Sequence, residues 1–204
     1  DPHFSLGSLY MHTGLLDRAL AQFDTAQQLD PANRFALGRI ARIHWFQGKY
    51  AIAEREFARL PGWERERSIA LNYLGRNDEA LALLKTPLAD TTRGPQADQT
   101  AARAVILASL GRRVDAEREI NAARTLGEGL SHFHHAAYML AQSYALLGDA
   151  DRAVQWLQRT ATDGMPCYPL FRDDPNLKRI RANPAFVRFL EEQRTQWEGF
   201  KISL

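Results

Sequence analysis

The chain of 204 residues is poor in several things, and each shortage narrows what it can be. It has one cysteine, Cys167, so no internal disulfide can form; a lone thiol fits a reducing compartment, and the chain reads as cytoplasmic. No apolar run approaches the roughly 18 residues needed to span a bilayer, and no charged segment followed by an apolar one opens the sequence, so no membrane is expected. Lysine is scarce beside arginine, and 26 basic side chains nearly cancel 24 acidic ones. Without a sustained basic stripe, direct contact with nucleic acid is not expected. The sequence contains no phosphate-cradling glycine loop, no G-x-S-x-G elbow and no H-E-x-x-H pair, and therefore gives no reason to expect an enzyme or a bound cofactor. It begins at Asp1 without an initiator Met, which reads as a piece of something longer.

What the sequence does have is repetition. Gly14, Gly48, Gly75, Gly111 and Gly148 recur at spacings of 34, 27, 36 and 37 residues, and each is followed five residues later by alanine: Ala19, Ala53, Ala80, Ala116 and Ala153. A glycine just past a helix accepts the left-handed conformation that reverses the chain, and a small residue one turn into the next helix lets two helices approach. Between the turns the apolar residues keep helical spacing, as in Ala102, Val105, Ile106, Ser109 and Leu110. No stretch alternates apolar and polar in the manner of a half-buried strand, so the expected class is all-α, with about five helical hairpins.

The first hairpin carries a fuller pattern: Leu6-Gly7, Tyr10, Gly14, Ala19, Phe23, Ala26 and Asp30-Pro31, with His3 where a tryptophan is usual. In these residues the chain resembles the tetratricopeptide-repeat (TPR) family, over roughly residues 2–163. The resemblance implies a right-handed superhelical solenoid, with repeats near 1–32, 33–60, 61–90, 94–127 and 131–163. The third and fourth keep the turn but replace the Leu-Gly pair by Arg67-Ser68 and Arg103-Ala104. Thr86 to Pro95, rich in Pro, Gly, Thr and Asp, reads as the main loop and the likeliest flexible spot. After Gly164 the pattern stops, and residues 164–204 read as a C-terminal helical cap. Asp173-Asp174-Pro175 and Asn183-Pro184 are helix-start signals, and Phe186, Phe189, Leu190, Trp197 and Phe200 form an apolar stripe able to cover the last hairpin. This tail resembles the end of TPR regions in bacterial Ser/Thr protein kinases and winged-helix transcription regulators.

Function is read from the same resemblance. TPR arrays bind ligands along a concave face lined by the first helix of each hairpin, which implies a protein-interaction scaffold with a protein or peptide partner, in a larger bacterial signalling or transcription protein. An alternative is a self-associating, dimer-forming segment. The positions placed in the groove are Phe4, Ser8, Met11 and His12, then Arg42, Trp45 and Phe46, then Arg65, Ile69, Asn72 and Tyr73, then Val105, and lastly His135, Tyr138 and Gln142. Aromatics and arginines are the types that dominate binding hot spots. The carboxylate clamp of chaperone-binding TPR proteins is absent, since its places hold Phe4, Ser8, Arg39, Gly62 and Glu66. In the cluster His132, His134, His135, the pair His132 and His135 shares a helical face, but no Glu, Asp or Cys nearby supplies a third and fourth ligand at metal spacing, so no metal is expected; His135 is placed toward the groove, and His132 and His134 near solvent. Cys167, between two prolines and without an activating partner, reads as a small buried residue of the cap.

Overall fold

The computed structural model describes residues 1–85, 92–130 and 132–204, the side chain of Arg93 apart. Among the described residues there is no strand. Five helical hairpins follow one another: α1 (Pro2–His12) with α2 (Leu16–Leu29), α3 (Arg34–Phe46) with α4 (Tyr50–Phe57), α5 (Glu64–Tyr73) with α6 (Asn77–Leu83), α7 (Arg93–Ser109) with α8 (Arg113–Gly127), and α9 (His134–Leu147) with α10 (Ala150–Thr162). The tail adds α11 (Tyr168–Asp173), a 3-10 helix (Pro175–Ile180) and the long α12 (Pro184–Ser203). No helix among the described residues is long and apolar enough to cross a membrane.

The turn chemistry of the repeats explains the hairpins. Each of the five turn glycines has a positive φ, from 72° at Gly111 to 83° at Gly148, where a Cβ would be strained. The alanine five residues on is fully buried in all five hairpins, so the two helices meet without an intervening side chain. Glycine at the earlier Leu-Gly position has a second task. A Cβ on Gly7 would stand 2.9 Å from the Phe23 ring, and one on Gly38 would stand 2.0 Å from Trp63. In the shortened second repeat Trp63, at the start of α5, stacks on Phe57 at 5.8 Å and fills the space over Gly38.

Of the loop expected over 86–95, residues 86–91 lie outside those described, and so does the flexibility expected there. Its end is helical: Arg93, Gly94 and Pro95 form the first turn of α7, where proline's missing N–H has no intrahelical acceptor to lose. The tail signals produce helices. Asp174 caps the 3-10 helix by accepting from the Asn176 amide, and Asn183 caps α12 by accepting from the amides of Ala185 and Phe186.

The tail does more than cover the last hairpin. Phe186 and Phe189 are buried, and α12 packs on α10 and α11. Its far end reaches the first repeat: Trp197 donates its indole N–H to the carbonyl of Gly14 at 3.1 Å, Arg18 reaches the Lys201 carbonyl, and Tyr10 reaches that of Leu204. Pro169 of α11 also presses against Gly14, where a Cβ would lie 2.6 Å from its ring. One segment thus touches both ends of the array. Trp197→Ala is expected to cost about 1–3 kcal/mol in urea unfolding, through the lost hydrogen bond and ring contacts; an unchanged midpoint would show that the tail does not brace the first repeat.

Candidate functional site on the inner face

The first helices of the hairpins line the inside of the array, and there the chain places charge. Arg42 on α3 pairs with Glu66 on α5 at 2.6 Å, Arg65 pairs with the same carboxylate at 2.5 Å, and Arg65 continues to Asp98 on α7 at 3.0 Å. Arg42 also donates to Nε2 of His135 on α9 at 3.2 Å. A single row of polar side chains therefore crosses α3, α5, α7 and α9. Burial alone would raise the Glu66 carboxyl, but Arg65 and Arg42 overcome it and hold the group at about 2. Asp98, more weakly compensated by Arg65, is raised by its burial.

Deeper in the face lies a second node, centred on the tail. The Asp174 carboxylate is 2% exposed and accepts from three side chains: Tyr73 Oη at 3.0 Å, Tyr138 Oη at 2.5 Å and Gln142 Nε2 at 2.7 Å. It also accepts the Asn176 amide at 2.8 Å. No cation is bonded to it among these contacts, and burial raises its carboxyl above the ordinary value while the hydrogen bonds pull it down. Burial, and then Asp174 itself, push the Tyr73 and Tyr138 phenols well up, so both remain donors. An acidic side chain of the molecule's own tail thus sits where a ligand was expected.

The structure sorts the positions predicted for the groove into three settings. Arg42, Trp45, Phe46, Arg65, Ile69, His135 and Tyr138 surround one small pocket between α3, α5 and α9, with about 30 Å³ of free space behind its open mouth. Tyr73 and Gln142 are tied to Asp174 rather than open to a partner. The others are turned elsewhere: Met11 and Val105 have no exposed surface and belong to the core, and Asn72 bonds Asn77 and Ser109. Ser8 donates to the Phe4 carbonyl of its own helix, and Phe4 packs edge-on to Phe23.

The histidines need a correction. His132 is exposed, but His134 is 7% exposed rather than near solvent, because its ring turns inward and Nδ1 bonds the Asp163 carbonyl at 3.1 Å. Its neighbour is His12, 122 positions earlier, a proximity that sequence spacing cannot reveal. Cys167 is fully buried, and its thiol is pushed up to about 12 by burial, which leaves it unreactive. Sequence reasoning also missed Asp98 and Asp174 as members of this face, and met Arg39 and Glu66 only as occupants of the absent clamp's places. For Asp174 the signal was present, but helix capping accounted for it completely.

Two outcomes test this electrostatic account. Asp174→Ala leaves two phenols without their acceptor in the interior, Gln142 keeping its bond to the Tyr73 hydroxyl, and is expected to cost about 3 kcal/mol or more in denaturant unfolding, at roughly 1–3 kcal/mol for each buried group. Glu66 binds its proton more weakly folded, at about 2, than at its ordinary value of 4.5. Between those values the unfolded chain holds more protons, so its contribution is intact above about 4.5 and is lost as pH falls toward 2, by roughly 3 kcal/mol in all. Stability measured from pH 6 to 3 should therefore decline less steeply in Glu66→Gln, which starts lower; parallel curves would remove Glu66 from the network.

Comparison with known proteins agrees with this architecture. Residues 1–33 and 134–159 each match a family model described as tetratricopeptide repeat. Among curated protein sequences nothing matches. Two solved structures are distantly similar. One is YrrB, described as a TPR protein with an unusual peptide-binding site, 18% identical over 84% of this chain and 89% of its own, with a TM-score of 0.45. The other is a tetratricopeptide repeat protein from Parabacteroides merdae, 15% identical over 97% of this chain and 75% of its own, also with a TM-score of 0.45. The family models match the first and fifth hairpins, so the tetratricopeptide repeat is shown for those two segments of an all-helical array of hairpins.

Proposed function

We propose that this solenoid is a protein-interaction scaffold that takes a peptide segment of its partner at the mouth of the inner face. The observation that supports this reading is the pocket between α3, α5 and α9, whose walls are aromatic and aliphatic and whose rim is charged. Trp45, Phe46, Ile69 and Tyr138 offer an apolar seat, while Arg42 and Arg65 stand beside it with Glu66 and Asp98. That composition fits an anchor side chain flanked by polar contacts, the usual division of labour at a binding hot spot.

Charge indicates what flanks the anchor. Arg39, one turn before Arg42 on α3, lies over the Phe4 ring at 5.8 Å, and its buried Nη1 has no hydrogen-bond partner in the protein. Burial, and then Arg42, bring its guanidinium down to about 9, still charged at neutral pH. Arg39 as a whole is half-buried beside the pocket rather than in its lining, and a carboxylate supplied by the partner would pair with its charge, so the segment we infer is acidic next to an apolar anchor. The clamp of chaperone-binding relatives is not used. The tail's resemblance to the ends of TPR regions in bacterial kinases and transcription regulators supports placing this scaffold in a signalling or transcription protein.

Arg42 and Trp45 are poor reporters, because both are buried and their loss disturbs the fold. Arg39→Ala is the sharper variant. Against a panel of acidic peptides carrying an aromatic or aliphatic anchor, wild type is expected to retain a subset that Arg39→Ala binds at least about tenfold more weakly, roughly 1.4 kcal/mol, with unchanged circular dichroism. Equal binding by both proteins would move the partner away from this mouth.

A further inference from the structure

His12 closes α1, and His134 and His135 open α9, so three imidazoles meet from the two ends of the array. The ring centroids of His134 and His135 are 4.4 Å apart, and His12 lies 4.9 Å from the first and 5.3 Å from the second. One ring nitrogen from each falls within 4.8 Å of the others. Hydrogen bonding fixes two of the tautomers. The Asp163 carbonyl can only accept, so Nδ1 of His134 carries the proton and its Nε2 the lone pair. A guanidinium can only donate, so Nε2 of His135 is likewise the acceptor, facing Arg42. Nε2 of His134 and Nε2 of His12 are both buried without a hydrogen-bond partner in the protein, an arrangement that native interiors seldom keep without a use.

We propose that His12, His134 and His135 form a three-imidazole binding site for a divalent first-row transition ion of the zinc type. The donor set selects the class: imidazole nitrogen suits zinc, nickel and copper, while magnesium and calcium require oxygen ligands, which the cluster lacks. Metal–nitrogen bonds of about 2.0–2.1 Å put tetrahedral ligands about 3.4 Å apart, so the nitrogens must close by roughly 1.4 Å at most. Small rotations of the half-buried His12 and His135 rings supply that. The backbone carbonyl on Nδ1 of His134 is the kind of anchor that orients a coordinating histidine.

Arg39 and Arg42 face the cluster and oppose a cation, but Arg42 already has Glu66 as its counter-ion at 2.6 Å. Coordination through Nε2 of His135 exchanges the Arg42 hydrogen bond for a metal bond and links the ion to the charged row above. Three protein ligands leave a further coordination position open.

The test uses the untagged full chain titrated with Zn²⁺ against a chromophoric chelator. One equivalent is expected to bind with a dissociation constant of about 1 μM or tighter, to raise the thermal midpoint, and to resist excess Mg²⁺. His12→Ala and His135→Ala should each weaken binding at least about tenfold, and His3→Ala, at the other end of α1, should not. His134→Ala removes the most buried ring; if it unfolds, His12→Ala decides the matter. Failure to take up one equivalent, or wild-type affinity in His12→Ala and His135→Ala, overturns the site. Peptide binding by the same samples is scored separately, so either proposal can fail alone.

Discussion

A buried carboxylate without a cation is the constraint around which the inner face is arranged. Asp174 accepts from Tyr73, Tyr138, Gln142 and the Asn176 amide, and the two phenols would lose their acceptor if the tail were elsewhere. Taking a charge out of water is costly unless its acceptor positions are filled, and a half-satisfied polar network is worse than an apolar core. The tail's position is therefore specified by a polar match. Its apolar contacts, through Phe171, Leu177, Phe186 and Phe189, supply the area that holds it there.

This arrangement changes what the inner face of the array can offer. In an open array the first helices present a continuous concave surface to an extended ligand. Here the deep part is taken by the chain itself, and what is left is a mouth bounded by α3, α5 and α9. The row Arg42–Glu66–Arg65–Asp98 fixes the spacing of those helices as side chains of opposite sign draw together under low dielectric. A partner segment of the kind proposed would meet a small, preset opening with little left to order, which favours selectivity for one anchor over a large contact area.

The hairpins were legible in the sequence because their determinants are local: a glycine with positive φ, an alanine five residues later and helical spacing between them. The helix starts at Pro175 and Pro184 were legible for the same reason. The site was not, because its pairs are far apart in the chain: Arg42 with His135, Tyr73 with Asp174, His12 with His134. Family geometry placed Arg42, Trp45, Arg65 and His135 along the concave face, and the structure gathers them around one small pocket. It could not foresee that Tyr73 and Gln142 face an internal ligand, or that the shortened second repeat lays Trp63 over Gly38. Met11 and Val105 show the opposite limit, since register alone does not separate a groove position from a buried one.

A linear repeat array has two free ends, and its stability is a sum of local terms that can be lost from either end. The contacts of α12 with Gly14, Arg18 and Tyr10 remove that freedom by returning the chain to its own beginning. The molecule is then closer to a closed circuit than to a row of units. Fraying of the last helix uncovers the first turn, so the two termini open together, and disturbance at one is felt at the other without passing through the repeats between them.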